Sequence, residues 1–258
     1  MTALLTILSG SLVGFSLGLI GGGGSVMAVP LLLYVVGIPD PHVAIGTSAL
    51  AVAVNAFANL AQHARAGTVK WPCAATFAAS GVLGALVGST IGKAVNGESL
   101  LFVFALVMVV VGVSMLRGRR GDGDPNLRID RRIAVRLIGI GFLTGMVSGF
   151  FGIGGGFLIV PGIMLGSGMA VINAIGSSLF SVGAFGLTTA GNYALSGLVD
   201  WTVAALFIAG GVAGGFLGMK AAVRLSTSKG ALTRIFAAVL FAVAAYMLYR
   251  NAGALGLL

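Results

Sequence analysis

Apolar residues run almost unbroken along this chain, and polar ones gather at regular gaps. In the first half the apolar stretches lie near residues 4–20, 25–37, 43–64, 71–95 and 99–116. In the second they lie near 133–151, 156–167, 170–193, 201–223 and 231–249. The stretches of about 20 residues or more can cross an ~30 Å hydrocarbon core as helices. The 25–37 and 156–167 pieces are shorter and cover only about 20 Å at ~1.5 Å per residue. The pattern predicts an all-α polytopic membrane protein of about 8–10 transmembrane segments.

The chain repeats itself. "GFSLGLIGGGGSVMAVP" (14–30) is echoed by "GMVSGFFGIGGGFLIVP" (145–161), an offset of 131. "AIGTSAL" (44–50) matches "AIGSSLF" (174–180), and "QHARAGTVKW" (62–71) matches "NYALSGLVDW" (192–201), both at an offset of 130. Gly81, Gly84 and Gly88 keep the same step with Gly211, Gly214 and Gly218. Two homologous halves therefore differ by one deleted residue. They read as a first transmembrane repeat over 1–116, a basic linker over 117–132 and a second repeat over 133–258.

Composition agrees with the membrane reading. Hydrophobic residues are 58% and charged residues 8%, against roughly a quarter charged in a soluble domain. The apolar N-terminus has no Lys or Arg before Arg65, so it lacks the basic leader of a signal peptide and reads as part of the fold. The net charge of +9 does not call for nucleic acid, because the arginines gather around the linker and segment ends, as cytoplasmic membrane-flanking charge does. The single Cys73 has no partner for a disulfide and no companions for a metal site.

Charge also orients the halves. Arg65 and Lys70 mark the loop at 64–71, whereas its counterpart carries Asp200 and no Lys or Arg. The second half instead places Arg224, Lys229 and Arg234 around its next loop. Under the positive-inside rule the two halves face opposite ways. Inverted repeats need an odd number of crossings in each half, so the chain must turn back at its glycine-rich stretches, giving either five full crossings or a re-entrant hairpin followed by three. The expectation is two inverted-topology repeats with broken or re-entrant helices there, the linker cytoplasmic and both termini outside.

Loop backbone survives inside a bilayer only where protein covers it or water lines it. "GGGG" (21–24) and "GIGGG" (152–156) should therefore sit inside the bundle, near each other across a pseudo-two-fold axis. Each precedes a short apolar helix, whose first N–H groups and partial positive charge suit an anion. Paired broken helices at the midplane are how several transporter folds hold substrate. The glycines spaced four apart, such as Gly14/Gly18 and Gly145/Gly149, read as close helix packing instead.

These motifs resemble the TauE/SafE family of membrane transporters, the sulfite exporter family. The resemblance rests on "GLIGGGGSVMAVPLLL", "AIGTSA", the Gly67–Val69–Trp71 spacing and the second copies through Gly197–Val199–Trp201. It implies export, across the cytoplasmic membrane, of a small sulfur-containing anion such as sulfite, thiosulfate or an organosulfonate like sulfoacetate. The residues agree on charge sign. The six acidic residues all lie at segment ends or in loops, so the intramembrane carboxylate that marks cation or proton paths is missing.

Candidate substrate-binding residues follow from position. They are Gly22, Gly23, Gly24 and Ser25 at the first turn, and Gly154, Gly155 and Gly156 at the second. Thr47 and Ser48, with counterparts Ser177 and Ser178, begin the long helices that follow. Asn55, Asn59 and Gln62 share one helix, and Thr189 and Asn192 are the counterparts of the last two. His63, Arg65 and Lys220 are candidates for coupling or for the cytoplasmic mouth. Trp71 and Trp201 read as interface anchors.

No cofactor, metal or catalytic constellation is expected, and no Walker-type phosphate loop is present. The expected partners are the anion and the lipid bilayer, and a homodimer stays open. A secondary transporter working by alternating access is the first reading. A passive anion channel of the same architecture is the alternative.

Overall fold

The computed structural model describes residues 2–117, 129–152, 156–225 and 231–254. These are largely helical. Helix α1 is Thr2–Ile20. A 3₁₀ run, Gly21–Met27, follows it, then the short α2, Ala28–Leu31, and a π turn, Leu32–Val36. The first half continues with α3 (Pro41–Arg65), α4 (Trp71–Lys93) and α5 (Gly97–Arg117). The second half holds α6 (Arg131–Phe151), α7 (Gly156–Ser167), α8 (Val171–Ala194), α9 (Trp201–Leu225) and α10 (Ala231–Ala254). Most of the linker, the loop that holds Lys229, and the glycines at 154 and 155 lie outside the described residues.

Among the described residues, six helices, α1, α3, α4, α6, α8 and α9, are long and apolar enough to cross a membrane. The protein is a multi-pass membrane protein, and three of its acidic residues, Asp40, Asp130 and Asp200, serve helix starts. Asp40 caps α3 by accepting the His42 N–H at 2.7 Å, and Asp130 caps α6 by accepting that of Ile133 at 2.7 Å. Asp200 accepts the Val203 N–H at 3.0 Å at the start of α9. Each carboxylate satisfies an N–H that the helix itself leaves orphaned.

Small residues set the packing. Along α1 and α9, Gly10 meets Phe207, Gly14 meets Gly211 and Gly18 meets Gly215. The residue numbers rise together, so these helices run parallel. A Cβ at any of the three α1 glycines would strike the α9 backbone. The equivalent pair behaves alike: Gly141 meets Phe77, Gly145 meets Gly81 and Gly149 meets Ala85, so α6 and α4 also run parallel. This is the close backbone approach that small residues permit in membranes.

At the centre lie α3 and α8, the most enclosed of the six crossing helices. Gly46 lies against Tyr193, Ala53 against Gly186 and Phe57 against Gly183. Here one number rises as the other falls, so the two helices are antiparallel. The pattern of buried, half-buried and exposed positions along 61–70 recurs unchanged along 191–200.

The chain reverses at its glycines. Gly21 has φ +65° and its counterpart Gly152 has φ +67°, a left-handed conformation that side chains resist. Beyond Gly152, α7 runs back along α6. Gly162 lies against Ile140 and Thr144, and Gly166 against Leu137. The return in the first half departs from the single short helix expected there. It divides into 3₁₀, α and π pieces, around Pro30. Proline lacks an N–H and its ring clashes with the carbonyl one turn back, which breaks the regular ladder. Pro161 sits inside α7 at the equivalent place.

Candidate functional site

The two glycine turns meet. A Cβ on Gly22 would fall 2.6 Å from the Gly156 Cα and 2.6 Å from the Val182 side chain. Only bare backbone fits between the halves at this point. In an unbroken α-helix the Gly22 N–H would bond to the Gly18 carbonyl. Here the Gly22 N–H donates to Ser178 Oγ at 3.1 Å, and the Gly18 carbonyl accepts from His63 Nε2 at 3.0 Å. Ser178 Oγ donates in turn to the Ile175 carbonyl at 2.7 Å, and Ser48 does the same to Ile45 at 2.9 Å in the other half. Ser25, fully buried, donates back to the Gly22 carbonyl at 2.8 Å. Gly23 and Gly24 continue the 3₁₀ run.

The carbonyl partner requires His63 Nε2 to carry a proton. Its Nδ1 lies 3.0 Å from Thr68 Oγ1, which also lies 3.0 Å from the His63 carbonyl. The Thr68 hydroxyl has one proton and two acceptors to choose from, and the ring's protonation decides which it takes. His63 is fully buried, whereas Arg65 and Lys220 are exposed. The Lys220 ammonium stands over the Phe216 ring at 4.1 Å.

Thr47 and Ser177 hold loops. Ser177 Oγ accepts the Lys70 N–H at 2.9 Å, and Thr47 Oγ1 accepts the Asp200 N–H at 2.9 Å. The loop at 66–70 thus docks on the start of α8, where Asn173 Nδ2 also donates to the Thr68 carbonyl at 3.0 Å. The loop at 195–200 docks on the start of α3, where the Leu198 carbonyl lies over bare Gly46.

Asn55 and Asn59 are fully buried one turn apart. Their amides rest on Gly211 and Gly215 of α9. Asn59 Nδ2 donates to the Asn55 carbonyl at 2.9 Å. Both polar atoms of the Asn55 side chain, Asn59 Oδ1 and Gln62 Oε1 have no partner among the described residues. Thr189 Oγ1 is also unpartnered. Asn192 is committed elsewhere. Its Nδ2 donates to Ser89 and Thr90 Oγ atoms at 2.7 and 3.0 Å, and its Oδ1 accepts from Lys93 Nζ at 2.8 Å.

The structure therefore gathers Gly22, Ser25, Ser178 and Gly156 at one point and places Asn55 and Asn59 on the adjoining α3. It keeps Thr47, Ser177 and Asn192 apart, in loop and end contacts. Gly154 and Gly155 lie outside the described residues. Thr68 and Lys93 were not legible as partners of His63 and Asn192. Thr68 lies in a loop with Leu198 as its counterpart, and Lys93 looks like one more end charge.

The chain matches the family described as "Sulfite exporter TauE/SafE" over residues 6–247. A "Probable membrane transporter protein" of Xylella fastidiosa is 53% identical over 249 residues, covering 96% of this chain and 95% of that protein. The "Probable membrane transporter protein YunE" of Bacillus subtilis is 26% identical over 273 residues, covering 97% and 99%. A "Probable membrane transporter protein" of Haemophilus influenzae is 31% identical over 201 residues, covering 75% and 74%. No solved structure matches the chain.

Proposed function

The chain belongs to the TauE/SafE sulfite exporter family of membrane transporters, and from that premise we propose that it exports a small sulfur-containing anion by alternating access. The substrate class is sulfite, thiosulfate or an organosulfonate such as sulfoacetate. The family and its relatives speak for a transporter rather than an enzyme.

The observation that carries the proposal is the meeting of Gly22 and Gly156 beside Val182, near the middle of α8. Two broken segments from two homologous halves converge there, with Ser178 and Ser25 against the first of them. Beyond the Gly22 N–H, which Ser178 already holds, the anion rests against backbone N–H groups of the two turns, with Asn55 and Asn59 on the adjoining face of α3.

Inverted orientation of the halves is part of the same reading. Equivalent helices α3 and α8 are antiparallel, which supports a two-fold relation across the membrane plane. The ends of α3 and α9 and the starts of α4, α6 and α8 share one side. That side carries Arg65, Lys70, Arg131, Arg132, Arg136 and Arg224. The other carries Asp40, Lys93 and Asp200. The arginine-rich side is the cytoplasmic one. An anion leaving a negative interior gains about 2.3 kcal/mol per charge per 100 mV, so export can draw on the membrane potential.

The test is flux in proteoliposomes across sulfite, thiosulfate, sulfoacetate, taurine and sulfate. A saturating rate with counterflow is expected for at least one sulfur anion. Non-saturating current would instead mark a channel. Gly23→Val and Gly154→Val should abolish flux in folded protein, and normal flux in both refutes the glycine site.

A further inference from the structure

Among the described residues, buried side-chain nitrogens and oxygens without a partner in the protein fall into two groups. The first is Asn55, Asn59 and Gln62, between the middle of α3 and its Arg65 end. The second is Ser181, Thr189 and Tyr193, from the middle of α8 to its Ala194 end. His42, whose ring lies 6.3 Å from that of Tyr193, joins the second group, and Ser148 stands near the end of α6. Native interiors pair nearly all such groups, and hydrocarbon offers them nothing. Unpaired atoms that line up rather than scatter point to a polar visitor.

The two groups lie on corresponding stretches of equivalent helices and share one corresponding position, Asn59 and Thr189. Positions 55, 59 and 63 correspond to 185, 189 and 193 at the offset of 130, and each set is spaced one turn apart. Because α3 and α8 are antiparallel, the two lines run from the centre toward opposite ends. They start at the level where Phe57 meets Gly183, Asn55 facing Gly211 of α9 and Phe185 facing Gly81 of α4.

Their chemistry differs. The α3 line carries amides and His63, whereas the α8 line carries hydroxyls and is interrupted by Phe185 where α3 has Asn55. Asn55 sits on bare Gly211, and Phe185 sits on its counterpart, bare Gly81. The Phe185 ring also stacks on Phe77, centroids 6.2 Å apart and planes at 23°.

We propose that these lines are two unlike half-paths of translocation. An amide-lined half opens to the Arg65 end, a hydroxyl-lined half opens to the Ala194 end, and Phe185 is the gate of the second. Asn55 Nδ2 supplies a free donor to the anion. Asn59 Oδ1 and Gln62 Oε1 accept from the water that travels with it. The serine, threonine and tyrosine hydroxyls then donate to the anion on the far side of the gate. This rests on the transporter reading for its substrate, but its geometry is testable alone.

In a Cys73→Ala background, Asn59→Cys and Thr189→Cys are challenged with a membrane-impermeant, negatively charged thiosulfonate reagent from each side in turn. Asn59→Cys should react only from the Arg65 side and Thr189→Cys only from the other. Leu187→Cys, on the exposed face of α8, should resist from both. Reaction of both path positions from one side overturns the proposal. So does reaction of neither while Gly67→Cys, in the exposed loop, reacts.

Sulfite flux gives the second arm. Asn55→Phe, which copies the gate into the open half, should lower flux at least about tenfold, the scale of one lost polar contact. Phe185→Asn should raise it. Unchanged flux in both variants overturns the gate. If labelling follows the expected sides but the wild type moves no sulfur anion, the substrate reading fails and the half-paths stand.

Discussion

His63 and Ser178 divide between them the two ends of the hydrogen bond that α1 gives up at its break. His63 Nε2 donates to the Gly18 carbonyl at 3.0 Å, and Ser178 Oγ accepts the Gly22 N–H at 3.1 Å. One partner comes from each half of the chain, so the break is held by both central helices. Removing either leaves a buried backbone group unpaired, which costs about 1–3 kcal/mol. His63→Phe and Ser178→Ala should each lower the thermal unfolding temperature in detergent. Thr68→Val, which keeps the Gly18 contact, should lower it less than His63→Phe.

Thr47 and Ser177 predict an additive pair. Each hydroxyl accepts a backbone N–H from the other half's loop at 2.9 Å, and they lie at opposite ends of the antiparallel pair. Thr47→Val and Ser177→Ala should each destabilise by about 1–2 kcal/mol. Sites so far apart share no partners, so the double variant should lose the sum to within about 0.5 kcal/mol. Chemical unfolding of the three variants checks this.

Glycine position decides whether a methyl group is tolerated. A Cβ on Gly14 would strike the Gly211 carbonyl, and forcing α1 from α9 costs about 1–3 kcal/mol. Gly139, in α6, has nothing within 4 Å of such a Cβ. Gly14→Ala should therefore destabilise. Gly139→Ala should stabilise by roughly 0.5–1 kcal/mol, because alanine gives up less backbone freedom in a helix. Paired melting curves in one detergent separate the two.

Much of this architecture is written locally. Gly14, Gly18, Gly21 and Pro30 keep step with Gly145, Gly149, Gly152 and Pro161, because close packing and chain reversal admit few other residues. The reversal itself follows from where Arg65 and Arg224 stand. The contacts of Thr47 and Ser177 were not legible, since their partners are 153 and 107 residues away. A hydroxyl near a helix start reads equally as ligand, cap or loop clamp. The 3₁₀ course of Gly21–Met27 was hidden for another reason. Glycine permits so many conformations that its neighbours choose one.

Among the described residues, Lys93 is held by neutral acceptors. Its Nζ donates to the Asn192 carbonyl at 3.0 Å, to Asn192 Oδ1 at 2.8 Å and to Ser196 Oγ at 2.9 Å. This ties the end of α4 to the end of α8. Lys93→Met should weaken that tie by about 1–2 kcal/mol, within the range of hydrogen bonds to charged groups once discounted for partial exposure. Hydrogen bonds to neutral groups depend little on ionic strength compared with ion pairs. The stability loss should therefore stay the same from low to high salt, and a loss that vanishes in salt would point to an ion pair instead.

The orientation of the halves yields a prediction that separates inverted from parallel repeats. Helix α3 ends at Arg65 and runs parallel with α9, because Asn55 rests on Gly211 and Asn59 on Gly215. Arg224 near the end of α9 therefore shares a side with the loop at 66–70. That loop's counterpart at 195–200 docks on the start of α3 and faces the opposite side. Parallel halves would instead put the two equivalent loops together. Impermeant thiol labelling of Gly67→Cys and Arg224→Cys, in a Cys73→Ala background, should occur from one common side, and labelling of Gly197→Cys only from the other. The arginine-rich side should be inaccessible in intact cells and open in inverted vesicles, as cytoplasmic charge requires. Labelling of Gly67→Cys and Gly197→Cys from the same side would mean that the equivalent halves share one orientation, and the antiparallel crossing of α3 and α8 would then have no counterpart in the membrane.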